Sequence, residues 1–373
     1  MVLYSLLPLL VIAALLEGGA RVYDFLRPAE TGVIDLSFGF DPSLRLFLPI
    51  RDGAPGRLQR FRRETGTPEE RSFLIEKPAG TFRIFAPGGS SVAFLQEHFD
   101  ALEARLNARY AGDPRIELIN AGMWSYGSQR VMIIAREVME YDPDLLLLYS
   151  GHNEFEDLRQ LELVEKGVSS LQRLLICSAL YRIYWHHSRQ RQLDILQSER
   201  NMALLQKQPF TDHDEWLRTI SHDDLYTRMR AFQRNIKAIV ELCRDRHVAL
   251  ILGTVPSNYW EPAPEEGWHT IATELTPLRN AGKYEDYMAA MGEFLTTHLR
   301  RQSSPAENTV IRQIADKYKL PLADVFQAVC EAEPHGVPGE ALFDDSCHLF
   351  FFNDTATTEI YTPLIIAEIE RAR

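Results

Sequence analysis

The sequence predicts an α/β fold in which a parallel sheet of about five strands is covered by helices. Two observations carry that prediction. From residue 81 onward, short apolar runs alternate with amphipathic helical stretches, which is the βα rhythm of a parallel sheet. The runs are also continuously apolar, as strands buried on both faces are, instead of alternating with polar residues.

The first strand is Phe82 to Ala86, ending at Pro87-Gly88-Gly89. Leu95, Phe99, Leu102 and Leu106 then share one face at helical spacing. Ile116 to Ile119 is the second strand, a helix over about 128–140 follows, and Leu145 to Leu148 is the third. Met229, Phe232, Ile236, Ile239 and Cys243 mark another amphipathic helix before the strand Val248 to Leu252. Leu320 to Val325 is the last expected strand. Two helix-prone stretches, about 156–222 and 262–310, interrupt the rhythm and are expected to cap the catalytic edge. Within the second, Leu278 to Glu285 resembles part of a tetratricopeptide hairpin, but a single unit is not a repeat array.

Composition narrows the function. At 373 residues and 45% hydrophobic content the chain has ample material for a folded core. A net charge of −12 argues against nucleic acid, because binding its phosphates needs a basic face. Cys177, Cys243, Cys330 and Cys347 show neither metal-ligand spacing nor a CxxC pair, which argues against zinc and dithiol chemistry.

The N-terminus carries the targeting signal. Val2 to Leu16 is a run of fifteen uncharged residues followed by Glu17, Gly18, Gly19, Ala20 and Arg21. As a helix it spans roughly 22 Å, short of a ~30 Å hydrocarbon core unless Gly18 to Ala20 join it. It lacks the basic n-region and small-residue cleavage site of a secretory signal. Residues 1–20 are therefore expected to be a membrane anchor, with the membrane as a partner, the alternatives being a cleaved signal-like helix or a buried helix. Residues 21–80 form a Pro-rich juxtamembrane segment containing a basic run, Arg57 to Arg63, to which no chemistry is assigned. The catalytic domain is expected over 81–373, outside the membrane, although Arg21 and Arg27 after the span do not support export.

The residues that carry chemistry fall after successive strands, where open α/β sheets bind ligands. Ser90 follows the first strand on the turn Gly88-Gly89-Ser90-Ser91, whose glycines allow a tight bend and close approach. Asn120 to Ser125 follow the second strand, and Gly151-His152-Asn153-Glu154 the third. Near the C-terminus, Asp345 precedes His348 by three residues. A serine hydroxyl needs a base, which His348 supplies, with Asp345 orienting the imidazole. The Asn153 amide and the backbone N–H groups of Ser90 and of a residue near Ser125 are the expected oxyanion donors.

Gly88-Gly89-Ser90, the Asn120-Ala-Gly122 turn, Gly151 to Glu154 and Asp345 to His348 resemble, in order, the four motif blocks of the SGNH (GDSL-like) hydrolases. The similarity covers about residues 81–365. It is nearest a bacterial membrane-anchored variant with GGSS and GHNE motifs, some members of which carry tetratricopeptide insertions. The resemblance implies a flavodoxin-like three-layer α/β/α sandwich, no metal or organic cofactor, and an ester substrate. The chemistry it implies is hydrolysis or acyl transfer, at an O-acetylated envelope glycan or another ester. A non-catalytic envelope scaffold that kept the fold is the rival from another class. Within the family, Ser90 is the nucleophile, His348 the base, Asp345 its partner and Asn153 an oxyanion donor.

The chain departs from the pattern at three places. Gly89 stands for the usual Asp, Ser125 for the usual second-block glycine, and Glu154, read as structural, for the Asp of the third block. Ser91 is the alternative nucleophile. Read as an anion-binding nest, the Gly-rich turn lacks the Walker lysine. A Cys347 nucleophile is disfavoured because it neighbours the base. His152 is read as a shaping or substrate-contact residue, His186 and His187 as solvated, and Asn258 as either a substrate contact or a loop cap. Phe350 to Thr362 resembles translated read-through of a sequencing adapter, and Pro363 to Arg373 the closing family helix.

Overall fold

The structure is a computed structural model. It describes residues 2–26, 45–50, 56–62, 67–124, 126–155, 175, 178–181, 183–184, 220–260, 266–298, 302–349 and 354–372. Two compact units divide the chain. The smaller comprises Met1–Asp41, Arg63–Gly66 and Leu158–Phe210. Its described part is built on helix α1 (Val2–Leu26), where the Glu17 carboxylate accepts the Ser178 hydroxyl at 2.7 Å and the Ala179 N–H at 2.9 Å. Among the described residues no helix is long and apolar enough to cross a membrane, so the expected anchor gains no support. Most of the expected insertion 156–222, including Cys177, His186 and His187, lies outside the described residues.

The larger unit holds two sheets. Strands β1 (Phe47–Pro49), β2 (Arg57–Arg62) and β3 (Thr67–Leu74) form an antiparallel sheet. The Pro-rich segment thus contributes strands, and most of the basic run, Arg57 to Arg62, is β2. Its Leu58 and Arg60 are both buried, a two-residue spacing that puts them on one face.

Strands β4 (Thr81–Gly88), β5 (Arg115–Gly122), β6 (Leu145–Tyr149), β7 (Ala249–Gly253) and β8 (Leu322–Ala323) form the parallel sheet, in spatial order β5-β4-β6-β7-β8. Counted from β4, that is the 2-1-3-4-5 order of flavodoxin-like folds. All four leucines of β6 are buried, as the apolar run requires. β8 is shorter than expected because Asp324 caps the next helix, accepting the Gln327 N–H.

Helices lie on both faces. After the single turn α2 (Ser90–Ala93), α3 (Gln96–Tyr110) packs on β5. α4 (Ser128–Val138) packs against α5 (His222–Asp245). The hairpin α6 (Glu266–Asn280) and α7 (Tyr284–Thr297) precedes α8 (Pro305–Tyr318), which packs on α5. α9 (Val325–Ala332) and α10 (Asp354–Ala372) pack together, and α10 also touches α3. α8 starts sharply because Ser304 and Glu307 form a capping box with Pro305 at the first helical position. Residues 350–353 lie outside the described set, and α10 begins within the adapter-like stretch. Tyr287, Met291 and Leu295 of the α6–α7 hairpin bury against Tyr259 and Val337, on the loops after β7 and α9.

Candidate active site

Strand β4 pairs with β5 on one side and β6 on the other, so the chain reverses its direction of travel across the sheet there. The carboxyl ends flanking such a switch point are where these sheets bind ligands. Ser90 lies two residues beyond the end of β4, and Gly151 to Glu154 lie just beyond β6.

The close packing of this corner depends on two glycines. A Cβ on Gly88 would lie 2.2 Å from Val92 Cγ2 and 2.4 Å from the Tyr149 carbonyl oxygen. One on Gly122 would lie 2.3 Å from the Ala93 backbone nitrogen. Only at this approach does the Asn120 amide reach the Val92 carbonyl at 2.9 Å while its oxygen accepts the Gly122 N–H at 2.9 Å. Asn120 thereby ties the second motif turn to the serine turn.

Ser90 Oγ and His348 Nε2 are 2.9 Å apart, and His348 Nδ1 and Asp345 Oδ2 are 2.6 Å apart. Asp345 Oδ1 accepts the N–H groups of Cys347 at 2.8 Å and His348 at 2.7 Å, which fixes the carboxylate relative to the ring. An ionised carboxylate can only accept, so Nδ1 carries the proton and Nε2 is left to accept from the Ser90 hydroxyl. Burial is the largest single influence and opposes charge on both partners, but their mutual hydrogen bond, the neighbouring hydrogen bonds and their charge attraction together outweigh it. The Asp345 carboxyl is held below its usual range and the His348 imidazole is raised above its own. The Phe94 ring meets the His348 ring edge-on at 4.8 Å.

The backbone of the acid–base loop is held from outside. The Ser346 carbonyl accepts the Asn258 N–H at 2.9 Å and the Gln302 side-chain amide at 2.7 Å, while Asn258 Nδ2 donates to the Asp345 carbonyl at 3.1 Å. Of the two roles open to Asn258, these contacts favour holding the loop. Buried Glu333 adds a second clamp, accepting the N–H groups of Gly339, Ala341 and Leu342.

Asn153 lies at the same corner, since a Cβ on Gly89 would be 2.8 Å from its Nδ2. That nitrogen donates to the Tyr126 carbonyl at 3.3 Å. Ser125 lies outside the described residues. Gly151 sits where a Cβ would press on Val255 Cγ2 at 2.7 Å. Glu154 is buried and accepts the Ser128 N–H at 2.8 Å and hydroxyl at 2.7 Å, anchoring the start of α4.

Ser91 and His152 form a separate pair. Ser91 Oγ is 3.2 Å from His152 Nδ1, and His152 Nε2 is 2.8 Å from the Pro256 carbonyl, to which it donates. Burial lowers the His152 pKa to about 4, so the ring is neutral and accepts from Ser91. Ser91 thus pairs with His152, whereas Ser90 pairs with His348. Asp345, Cys347 and His348 offer potential metal-ligating atoms within 4.8 Å of one another. Both His348 nitrogens are already engaged, by Asp345 and by Ser90.

Solved structures similar to this chain are described as ester hydrolases. A GDSL-like lipase from Bacteroides thetaiotaomicron shares 12% identity, with 78% of this chain and 89% of that chain covered at a TM-score of 0.37. An acetyl xylan esterase shares 12%, covering 76% of this chain and all of the other, 100%, at a TM-score of 0.41. A catalytic mutant of an acetylxylan esterase from Geobacillus stearothermophilus shares 13%, with 77% and 94% covered at a TM-score of 0.38. No protein-family model and no curated protein matches the chain.

Sequence reasoning missed Arg60, Gln302 and Glu333. Arg60 is buried and its Nη1 donates to the Gly122 carbonyl at 2.6 Å and to Asn120 Oδ1 at 3.3 Å. A segment read as peripheral therefore buttresses the second motif turn. Nothing in the Arg57 to Arg62 sequence marks Arg60 as the buried arginine or names its target on β5.

Proposed function

We propose that this chain is a serine ester hydrolase in which Ser90 is the nucleophile, His348 the general base and Asp345 its orienting partner. The observation that carries the reading is the continuous hydrogen-bond path Ser90 Oγ–His348–Asp345, at 2.9 Å and 2.6 Å. Ser90 Oγ attacks the ester carbonyl carbon as its proton passes to His348 Nε2. The ester C–O bond then breaks and the imidazolium returns that proton to the leaving alcohol. Water, deprotonated by the same ring, releases the acid and regenerates the serine. The Ser90 N–H and the Asn153 amide stabilise the tetrahedral oxyanion, and a backbone N–H near Ser125 is a third candidate donor.

The substrate proposed is the ester of a small acyl group, such as an O-acetyl group on an envelope glycan. An apolar cavity of about 30 Å³ adjoins His348, lined by Phe94, Leu95, Val325, Cys347 and Leu349 among others, and supports a short acyl chain. The apolar run at the N-terminus supports an envelope location. The full chain is expected to hydrolyse p-nitrophenyl acetate and to be labelled by a fluorophosphonate at Ser90. Ser90→Ala should lower the rate by roughly 10³-fold or more and abolish labelling. Equal hydrolysis by wild type and variant would refute the assignment.

A further inference from the structure

We infer that the larger unit carries a second binding site, for a small molecule bearing a carboxylate or phosphate group, in a polar cavity between β2, β3, α3 and β5. The cavity measures about 160 Å³. At roughly 30 Å³ per water that is room for about five waters, or for one anionic headgroup. Arg57 and Arg60 enter it from β2, Arg71 from β3, Arg115 and Glu117 from β5, and Glu103 from α3. Arg115 and Glu117 share a face because side chains alternate along a strand.

Arg71 is paired with both Asp100 and Glu103, but not every guanidinium of this cavity has a carboxylate partner. Glu103 is already bound by Arg71 and accepts the Leu118 N–H at 2.7 Å. Glu117 is bound at 2.7 Å by Arg83, whose side chain is buried within the sheet. Arg57 donates to the Ser72 hydroxyl at 2.9 Å and carbonyl at 2.6 Å. Among the described residues, neither Arg57 nor Arg115 has a carboxylate at salt-bridge distance. Guanidiniums gathered without a counter-charge repel one another, and their planar forks match carboxylate and phosphate oxygens in pairs. An anion held here would relieve that repulsion. Asn120 also lines the cavity while its amide holds the Val92 carbonyl, so an occupant would touch the side chain that sets the serine turn.

Calorimetric titration of the full chain at low salt, with inorganic phosphate and separately with glucuronate, tests the site without reference to catalysis. Saturable binding of at least one is expected, phosphate marking a phosphate-bearing ligand and glucuronate alone a carboxylate-bearing one. Arg57→Gln and Arg115→Gln should each weaken that binding at least about tenfold. Arg246→Gln, at an exposed position outside the cavity, should leave it unchanged. Because Arg115 is exposed, Arg115→Gln should keep the wild-type melting temperature. If Arg57→Gln fails to fold, Arg115→Glu takes its place and should abolish binding. Binding of neither probe by wild type, or undiminished binding by the Arg115 variants, would overturn the inference.

Discussion

Ser90 and Ser91 are neighbours of identical chemistry placed in opposite surroundings. Ser90 faces an imidazole whose free nitrogen accepts its proton, whereas Ser91 is buried against the neutral His152 ring. Ser91→Ala is therefore expected to keep kcat within about tenfold of wild type, against the loss at Ser90→Ala. Loss of fluorophosphonate labelling in Ser91→Ala alone would reverse the two assignments. The pH profile follows from the His348–Asp345 pair. His348 acts as a base only when deprotonated, and its pKa is raised above the ordinary 6.5. The rate kcat/KM should fall as pH drops through that raised pKa, giving an acidic limb midpoint above 6.5. The sign for stability is opposite. The gain from the charged pair is present below the unfolded histidine pKa and is lost as pH rises through the folded one. An acidic-limb midpoint below 6.5 would contradict the pairing.

At the scale of elements, the site is made by how closely α2 lies on the ends of β4 and β5. Gly122→Ala places a Cβ 2.3 Å from the Ala93 backbone nitrogen, where no flexible side chain can yield. Overpacking of this kind costs about 1–3 kcal/mol, so the urea midpoint should fall and kcat should fall with it. An unchanged midpoint would show that the turn relaxes freely. Elements of this kind were legible to different degrees. Leu95, Phe99, Leu102 and Leu106 marked α3 because a buried helical face repeats with the helical turn. The strand expected over Leu320 to Val325 shrank to Leu322 and Ala323 because Asp324 is recruited as a helix cap. Asp324 is also held by Thr254 at 2.8 Å and by Arg312 at 2.9 Å. Those partners are 70 and 12 residues away in sequence, beyond the reach of a local reading.

Across the larger unit, an aromatic cluster joins its two sheets. Phe47 and Phe73 of the antiparallel sheet meet Phe85 of β4 and Tyr141, with ring centroids between 5.1 Å and 6.1 Å apart. Buried Glu137 adds to this junction by accepting the Leu46 N–H at 2.7 Å and the Phe47 N–H at 3.1 Å. Phe73→Ala should cost about 3–5 kcal/mol by urea denaturation, the range for a large-to-small change in a core. A loss under 1 kcal/mol would mean that the small sheet is not welded to the parallel one.

The sequence by itself determined the parallel sheet, the order of its strands along the chain, and the turns that bear Ser90, Asn153 and His348. Buried strands and helical faces leave periodic apolar patterns, and tight turns demand glycine, so both are written locally. Only the tertiary structure decided that Ser90 and not Ser91 meets His348, and that Arg60 supports the Gly122 turn. It alone showed that Asn258, Gln302 and Glu333 hold the acid–base loop. Glu333 reaches only six to nine residues along the chain, but the others are polar contacts between segments far apart in sequence. Such a contact depends on distance and direction in space, and leaves no period or composition to read.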